Sequence, residues 1–362
     1  MNTSSSLPAV VPILLIGFVY LLTPTLTPKT VRFGVRIPAE RAGDAAVASA
    51  GRGYRIGVVA VTAVALLTAY FVAAGTAARL SGVAVELVGT FAVYLMARSH
   101  VAAAKHAGRW FEGRRQVSVA ETALRTRPEP FPWAWALPAV AIVLGTALFG
   151  VIRYPHMPDR LVWRYDGSGH PTSYTDKSFA SAFALVGVQI AATALQLTLT
   201  RITFRGKANL DVEDPHAAER QRRFIAAMAR CLLGLTAAIN LTLFFAALAT
   251  WDVVGSTGWF PVLLLAPTAL ATIVLITVAV RLGQGGSRIR FEGVEDVGSQ
   301  NTVNRDDDRF WKAGVFYFNR DDPAVWVQKR FGVGWTVNFA RPAALVFLAG
   351  VLAIVVLVVA LR

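Results

Sequence analysis

The sequence predicts an all-α polytopic membrane protein of about eight transmembrane helices, with a small cytoplasmic β-hairpin element. Three observations lead there. Hydrophobic residues make up 55% of the 362 residues and charged ones only 16%, where soluble domains run near about a quarter charged. Long apolar stretches recur along the whole chain, and the mean hydropathy is +0.50. Lysine and arginine gather in alternate connecting segments, as membrane topology requires.

A span needs roughly 20 predominantly apolar residues. Eight such stretches are read at about 8–25, 55–77, 80–98, 133–152, 179–200, 226–250, 259–280 and 342–361. The first follows an uncharged start without a small-residue cleavage site, so it reads as a span rather than a signal peptide. The segments 24–53, 98–132, 201–225 and 281–341 together hold 28 Lys/Arg residues, and the opposite side holds six. Basic loops stay cytoplasmic. The localisation read from this split is a multi-pass protein of the cell membrane, with both termini extracytoplasmic. The net charge of +14 therefore reflects topology, and the expected partner is the lipid bilayer, with no nucleic acid.

Three regions follow: 1–132, three helices with basic loops; 133–280, four helices around an outer loop at 153–177; and 281–362, a linker, a hairpin and the last span. The outer loop is rich in Pro, Gly, Asp and aromatics, as compact loops are, and Arg164 or Asp166 is expected to be buried in it by hydrogen bonds. In the inner segment, FWKAGVFYFN and AVWVQKRFGVGWTVNF read as two strands separated by the turn signal RDDP. Their dense aromatics suit a hairpin lying at headgroup level, or a platform for a ligand or a cytoplasmic regulator. SQNTVNRDDD before them reads as a solvated linker.

Polar residues inside spans need a reason, since an ionisable group there costs on the order of 2.5–3.5 kcal/mol. Glu86, Thr90 and Tyr94 fall at i, i+4 and i+8 on one helical face. Gln189, Thr193, Gln196 and Thr200 form a second stripe, and Thr236 and Asn240 share a third face. The plain reading is interhelical hydrogen bonding. The functional reading is a polar ligand-binding cavity built from Glu86, Thr90, Tyr94, Gln189, Gln196 and Asn240, which requires the stripes to converge. The neighbouring Arg79 is a further partner open to Glu86.

No cofactor is implied. The single cysteine, Cys231, supports neither a disulfide nor a metal cluster. The sequence lacks H-E-x-x-H, a Walker loop and G-x-S-x-G, so no catalytic residue and no metal site are assigned. His156, Asp159, Asp166 and His170 share the outer loop and leave a metal-assisted hydrolase as the weakest alternative.

The stretch 160–177 resembles the signature of the bacterial membrane domain-of-unknown-function family 1648, found in SdpI-type immunity and signalling proteins. Leu161 and Val162 take its Ile-Pro place, and Arg164 falls where the family has histidine. Tyr165 and Asp166 fall on its aromatic–Asn pair, and Gly169, Pro171, Tyr174 and Lys177 match. The run DDDRFWKAGVFYFNRDDPAVWVQKRFGVGWTVNFARP is similar to the family 5808 domain of unknown function. FGVRIPAE at 33–40 resembles a G-x-R-x-P element of SdpI-type proteins. The resemblance implies a non-enzymatic protein that senses, or gives immunity to, an extracellular peptide or envelope stress, with Arg164, Asp166 and Lys177 in the external contact. A transporter or lipid-handling protein is the alternative that the polar stripes support.

Overall fold

The computed structural model describes residues 7–71, 76–117, 129–166, 169–206, 208, 210–211, 214, 216–255, 258–291 and 302–360. Eight long helices cover the eight expected stretches: α1 (Leu7–Leu26), α2 (Ala45–Phe71), α3 (Thr76–Ala107), α4 (Leu137–Arg153), α6 (Ala184–Phe204), α7 (Ala217–Thr250), α8 (Phe260–Leu282) and α9 (Pro342–Ala360), with the single turn α5 (Phe179–Ala182) ahead of α6. Among the described residues, six helical segments are long and apolar enough to cross a membrane. The protein is an all-α polytopic membrane protein carrying only small strand pairs. Large apolar side chains stand exposed along the helices, among them Leu263, Leu265, Leu270 and Ile273 on α8, which buries none of its residues. A helix face of that kind is solvated by lipid.

Helix boundaries differ from the hydropathy reading. α2 begins at Ala45, ten residues ahead of the apolar stretch, because Asp44 caps it: its carboxylate accepts from Ala46 N at 2.9 Å. The added turns bury Val47, Ala50 and Tyr54. α3 likewise runs on to Ala107. The stretch from 179 breaks at Phe183, after a capping box between Ser178 and Ser181.

The chain folds as two compact units. The first holds Met1–Thr126, Gly206–Gln221 and Leu282–Arg362. Within it α1, α2 and α3 pack together. Four strand pairs belong to this unit. β1 (Val31–Arg32) pairs with β2 (Val35–Arg36), and β3 (Arg115–Val117) lies parallel to β6 (Thr302–Asn304). β7 (Trp311–Lys312) pairs with β8 (Phe316–Tyr317), and β9 (Trp326–Gln328) with β10 (Trp335–Val337). The second unit holds Arg127–Arg205 and Arg222–Arg281, with the antiparallel hairpin of β4 (Arg160–Tyr165) and β5 (Pro171–Asp176).

Two sequence expectations are corrected. RDDP does not divide one long hairpin; each flanking segment makes its own. Ala313 and Gly314 adopt left-handed backbone (φ 50° and 73°) and turn the chain inside the first segment. Gly332 and Gly334, also at positive φ, do so inside the second. The second half of the expected linker is structured: Val303 and Asn304 are buried and Thr302–Asn304 pairs with β3. Residues 292–301 lie outside the described ones.

Candidate functional site

The 153–177 loop is an ordered hairpin with one anchored side. Leu161 is fully buried in a cluster with Met157, Ala182 and Trp251. Trp251, itself fully buried, donates its indole N–H to the Ala182 carbonyl at 2.8 Å. Lys177 fixes the hairpin base: its ammonium donates to the Met157 carbonyl at 2.9 Å and lies 5.4 Å from the Tyr154 ring centre, while its N–H donates to Asp159 O at 2.7 Å. At the tip, Asp166 accepts from His170 N at 2.9 Å. Arg164 and Asp166 are exposed, which corrects the expectation that one of them is buried. Backbone bonds from Asp166 N to His170 O and from Gly169 N to Asp166 O close the turn, and both side chains stay on its exposed side. Trp163 and Tyr174 are also exposed, and Arg160 lies over the Tyr174 ring.

The first unit carries a buried ion network that joins four segments. Arg36 on β2, Lys105 near the end of α3 and Arg330 after β9 are each 5% exposed or less. They face three consecutive carboxylates. Lys105 Nζ lies 2.7 Å from Asp306 and 2.6 Å from Asp308. Arg330 pairs with both Asp307 and Asp308. Arg36 Nε reaches Asp307 at 3.4 Å, and its N–H donates to Asp308 at 3.0 Å. Burial alone would raise the Asp308 carboxyl, but the Arg330 and Lys105 cations, with hydrogen bonds from Lys105 and Arg36, outweigh it. They hold Asp308 below the usual carboxylate range. Beside Arg330, Phe331 enters the end of the three-helix bundle, its ring centre 4.2 Å from that of Tyr94 and just over 6 Å from those of Tyr20 and Tyr54.

The expected polar faces are buried except at Gln196. In the first unit Glu86 is fully buried and one carboxyl oxygen lies 2.9 Å from the Thr62 hydroxyl. Gly17 lets α1 close over this pair, since a methyl there would stand 2.5 Å from Thr62 Oγ1. Thr90 donates to the Glu86 backbone carbonyl at 2.6 Å, and the Tyr20 phenol reaches Thr90. Tyr94 turns the other way and donates to Ala313 O at 3.0 Å. The side chain of Arg79 lies outside the described residues. In the second unit Gln189 donates to Thr146 and to the Asn240 carbonyl, and Asn240 donates to Thr193 and to the Ala139 carbonyl. Gln196 is half-buried and makes none of these bonds. The two stripes belong to different units, and each finds these partners inside its own.

Among the described residues no group of three His, Cys, Asp or Glu side chains could hold a metal ion. Residues 141–190 match the model of a domain of unknown function, DUF1648, and residues 320–345 match that of a family of unknown function, DUF5808. The chain carries both domains. The first is the SdpI-like family that the 160–177 signature resembles. No curated protein and no solved structure matches the chain.

The DUF1648 segment contains the hairpin with Lys177, together with Thr146 and Gln189 of the buried amide cluster. The DUF5808 segment contains Arg330, Phe331 and Asn338. Asn338 ties this segment together: its amide donates to the carbonyls of Asn319, Asp322 and Ala324. Sequence reading passed over the ion network. Arg36, Lys105 and Arg330 look like ordinary topology-setting cations, and the run of aspartates looks like a solvated stretch. The one legible signal was the FGVRIPAE element, which supplies Gly34 and Arg36.

Proposed function

We propose that the protein is a non-enzymatic SdpI-like protein of the cell membrane whose β4–β5 hairpin faces outward and meets an extracellular peptide. One observation carries this reading. The hairpin is held from beneath by Leu161, Trp251 and Lys177 and presents Trp163 and Tyr174 to its surroundings. Among the described residues its sheet has two strands, so each strand keeps one unpaired edge. Extended peptides add to such edges through backbone hydrogen bonds and take specificity from side chains. In this reading the 28 basic residues of the alternate segments lie in the cytoplasm, both termini lie outside, and the β7–β10 region offers a surface to a cytoplasmic regulator.

The test is growth of cells lacking the protein in diluted culture filtrates of peptide-secreting bacteria. Loss of the protein sensitises the cells to at least one filtrate. The wild-type chain restores growth, and Trp163→Ala with Tyr174→Ala does not, although it reaches the membrane at the wild-type level. Unchanged growth without the protein in every filtrate, or full rescue by the double variant, overturns the proposal. Full rescue would leave the two rings as headgroup-level anchors.

A further inference from the structure

Glu86 is completely buried, and the part of α3 that carries it, Ser81–Ala107, is long and apolar enough to cross a membrane. α1 lies directly over its carboxyl. A methyl on Gly17 would stand 3.0 Å from Glu86 Oε1 and 2.5 Å from Thr62 Oγ1. Among the described residues no cation reaches the carboxyl. Arg98, further along α3, turns to the Trp311 carbonyl at 3.5 Å, and Arg330 is engaged by Asp307 and Asp308. The phenols of the bundle are turned elsewhere too. Tyr54 donates to the Tyr20 carbonyl at 2.9 Å, Tyr94 donates to the Ala313 carbonyl, and the Tyr20 phenol reaches Thr90.

Counting protons fixes which way the one close contact runs. Thr62 Oγ1 lies 2.9 Å from Glu86 Oε1 and 2.9 Å from the Val58 carbonyl oxygen. A hydroxyl has one proton to give and lone pairs to accept with, whereas a backbone carbonyl only accepts. Helical threonines commonly give that proton to the carbonyl four residues back. Thr68, Thr90 and Thr146 all do so in this protein. Thr62 does the same with Val58, so its contact with Glu86 is a hydrogen bond only when Glu86 supplies the proton. The other carboxyl oxygen, Oε2, is buried and has no protein donor. A carboxylate would carry an unpaired charge here, which is the costly state for a buried carboxyl. A carboxylic acid satisfies both Thr62 contacts and carries no charge.

We propose that Glu86 is a proton-binding site inside the membrane. In the folded protein at neutral pH it is a carboxylic acid that donates from Oε1 to Thr62, which donates in turn to Val58. α3 supplies the acid, α2 its acceptor, and α1 the cover over both. The proposal does not depend on the peptide reading.

Infrared spectra of the full-length protein, reconstituted in lipid at neutral pH, test this. Solvated acids titrate at about 4 and are ionised there. The carbonyl stretch of a protonated carboxyl therefore stands clear of their carboxylate bands. The wild-type protein is expected to show that stretch, and Glu86→Gln is expected to lose it. Thr62→Val removes the acceptor of the acid proton and is expected to move the stretch to higher frequency. Both replacements keep the shape of the side chain. A wild-type spectrum without the band overturns the proposal whether or not the variants fold. A band that persists in Glu86→Gln, or keeps its position in Thr62→Val, belongs to another group and overturns it as well.

Discussion

Gly34 and Gly314 meet back to back: a methyl group on Gly34 would stand 2.7 Å from the Gly314 carbonyl oxygen and 2.9 Å from its Cα. Both residues have left-handed backbone, φ 72° and 73°, and each would also crowd the Tyr94 hydroxyl if it carried a side chain. Two turns separated by 280 positions in the chain thus close on each other and on α3, with Arg330 donating to the Gly34 carbonyl at 3.2 Å.

Gly34→Ala is expected to combine a left-handed penalty of about 1–2 kcal/mol with crowding of about 1–3 kcal/mol. Gly113 separates the two effects, since its φ is 71° and nothing lies within 4 Å of an added methyl. Gly113→Ala should therefore show the backbone penalty alone. Thermal unfolding of the detergent-solubilised protein measures both. Equal losses would mean that the two turns do not touch.

The ion network should give stability a defined acid limit. Asp308 is held below its ordinary range in the folded protein. Its contribution is therefore complete above the unfolded value of about 3.9 and is lost as pH falls from there through the lower folded value. Tm should be insensitive to Asp308 between pH 5 and 7, taken as a window above about 3.9, and should fall on further acidification. Asp308→Asn removes that acid-dependent component. It also leaves Arg330 and Lys105 short of a buried partner, a loss of up to about 3–5 kcal/mol. A variant with the wild-type acid profile would contradict this.

Phe331→Ala should loosen the DUF5808 segment from the three-helix bundle. The ring is half-buried among three tyrosines, so the cost should lie near the lower end of the about 3–5 kcal/mol typical of such truncations. Protease cutting between 313 and 334 in inside-out vesicles should accelerate, whereas cutting near 166–171 should not change.

Topology is testable because the chain has one native cysteine, Cys231. In a Cys231→Ser background, a membrane-impermeant maleimide is expected to label Thr172→Cys in intact cells. It should label Glu112→Cys only after permeabilisation. Both positions are exposed. The reverse pattern would invert the proposed orientation.

Glu86→Gln addresses the proposal that Glu86 matters beyond packing. Glutamine keeps an acceptor for Thr62 and removes the ionisable group, so the variant should fold and reach the membrane. Reduced rescue in the filtrate assay would then assign Glu86 a functional role, and full rescue would leave it an interhelical contact among α1, α2 and α3.

The helices were legible in the sequence because their signal is local. Twenty apolar residues in a row have nowhere to go but lipid, and stripes such as Glu86–Thr90–Tyr94 follow from helical periodicity alone. The β4–β5 hairpin was legible as an ordered loop from its turn residues and its signature. Tertiary structure alone decided which polar groups meet. Lys105 and Asp308 lie 203 positions apart, and neither differs in sequence from a solvated charge. Glu86 bonds to Thr62 within the first unit, and Gln189 to Thr146 and Asn240 within the second. The turn positions of the β7–β8 and β9–β10 hairpins were likewise set by Ala313–Gly314 and Gly332–Gly334 rather than by RDDP. Left-handed backbone at Ala313 and Gly314 brings their turn onto the Tyr94 hydroxyl. The physical reason is common to all of these. Hydropathy and periodicity record where one segment prefers to be, whereas an ion pair or an interhelical amide bond is a property of two segments, specified only when packing brings them together.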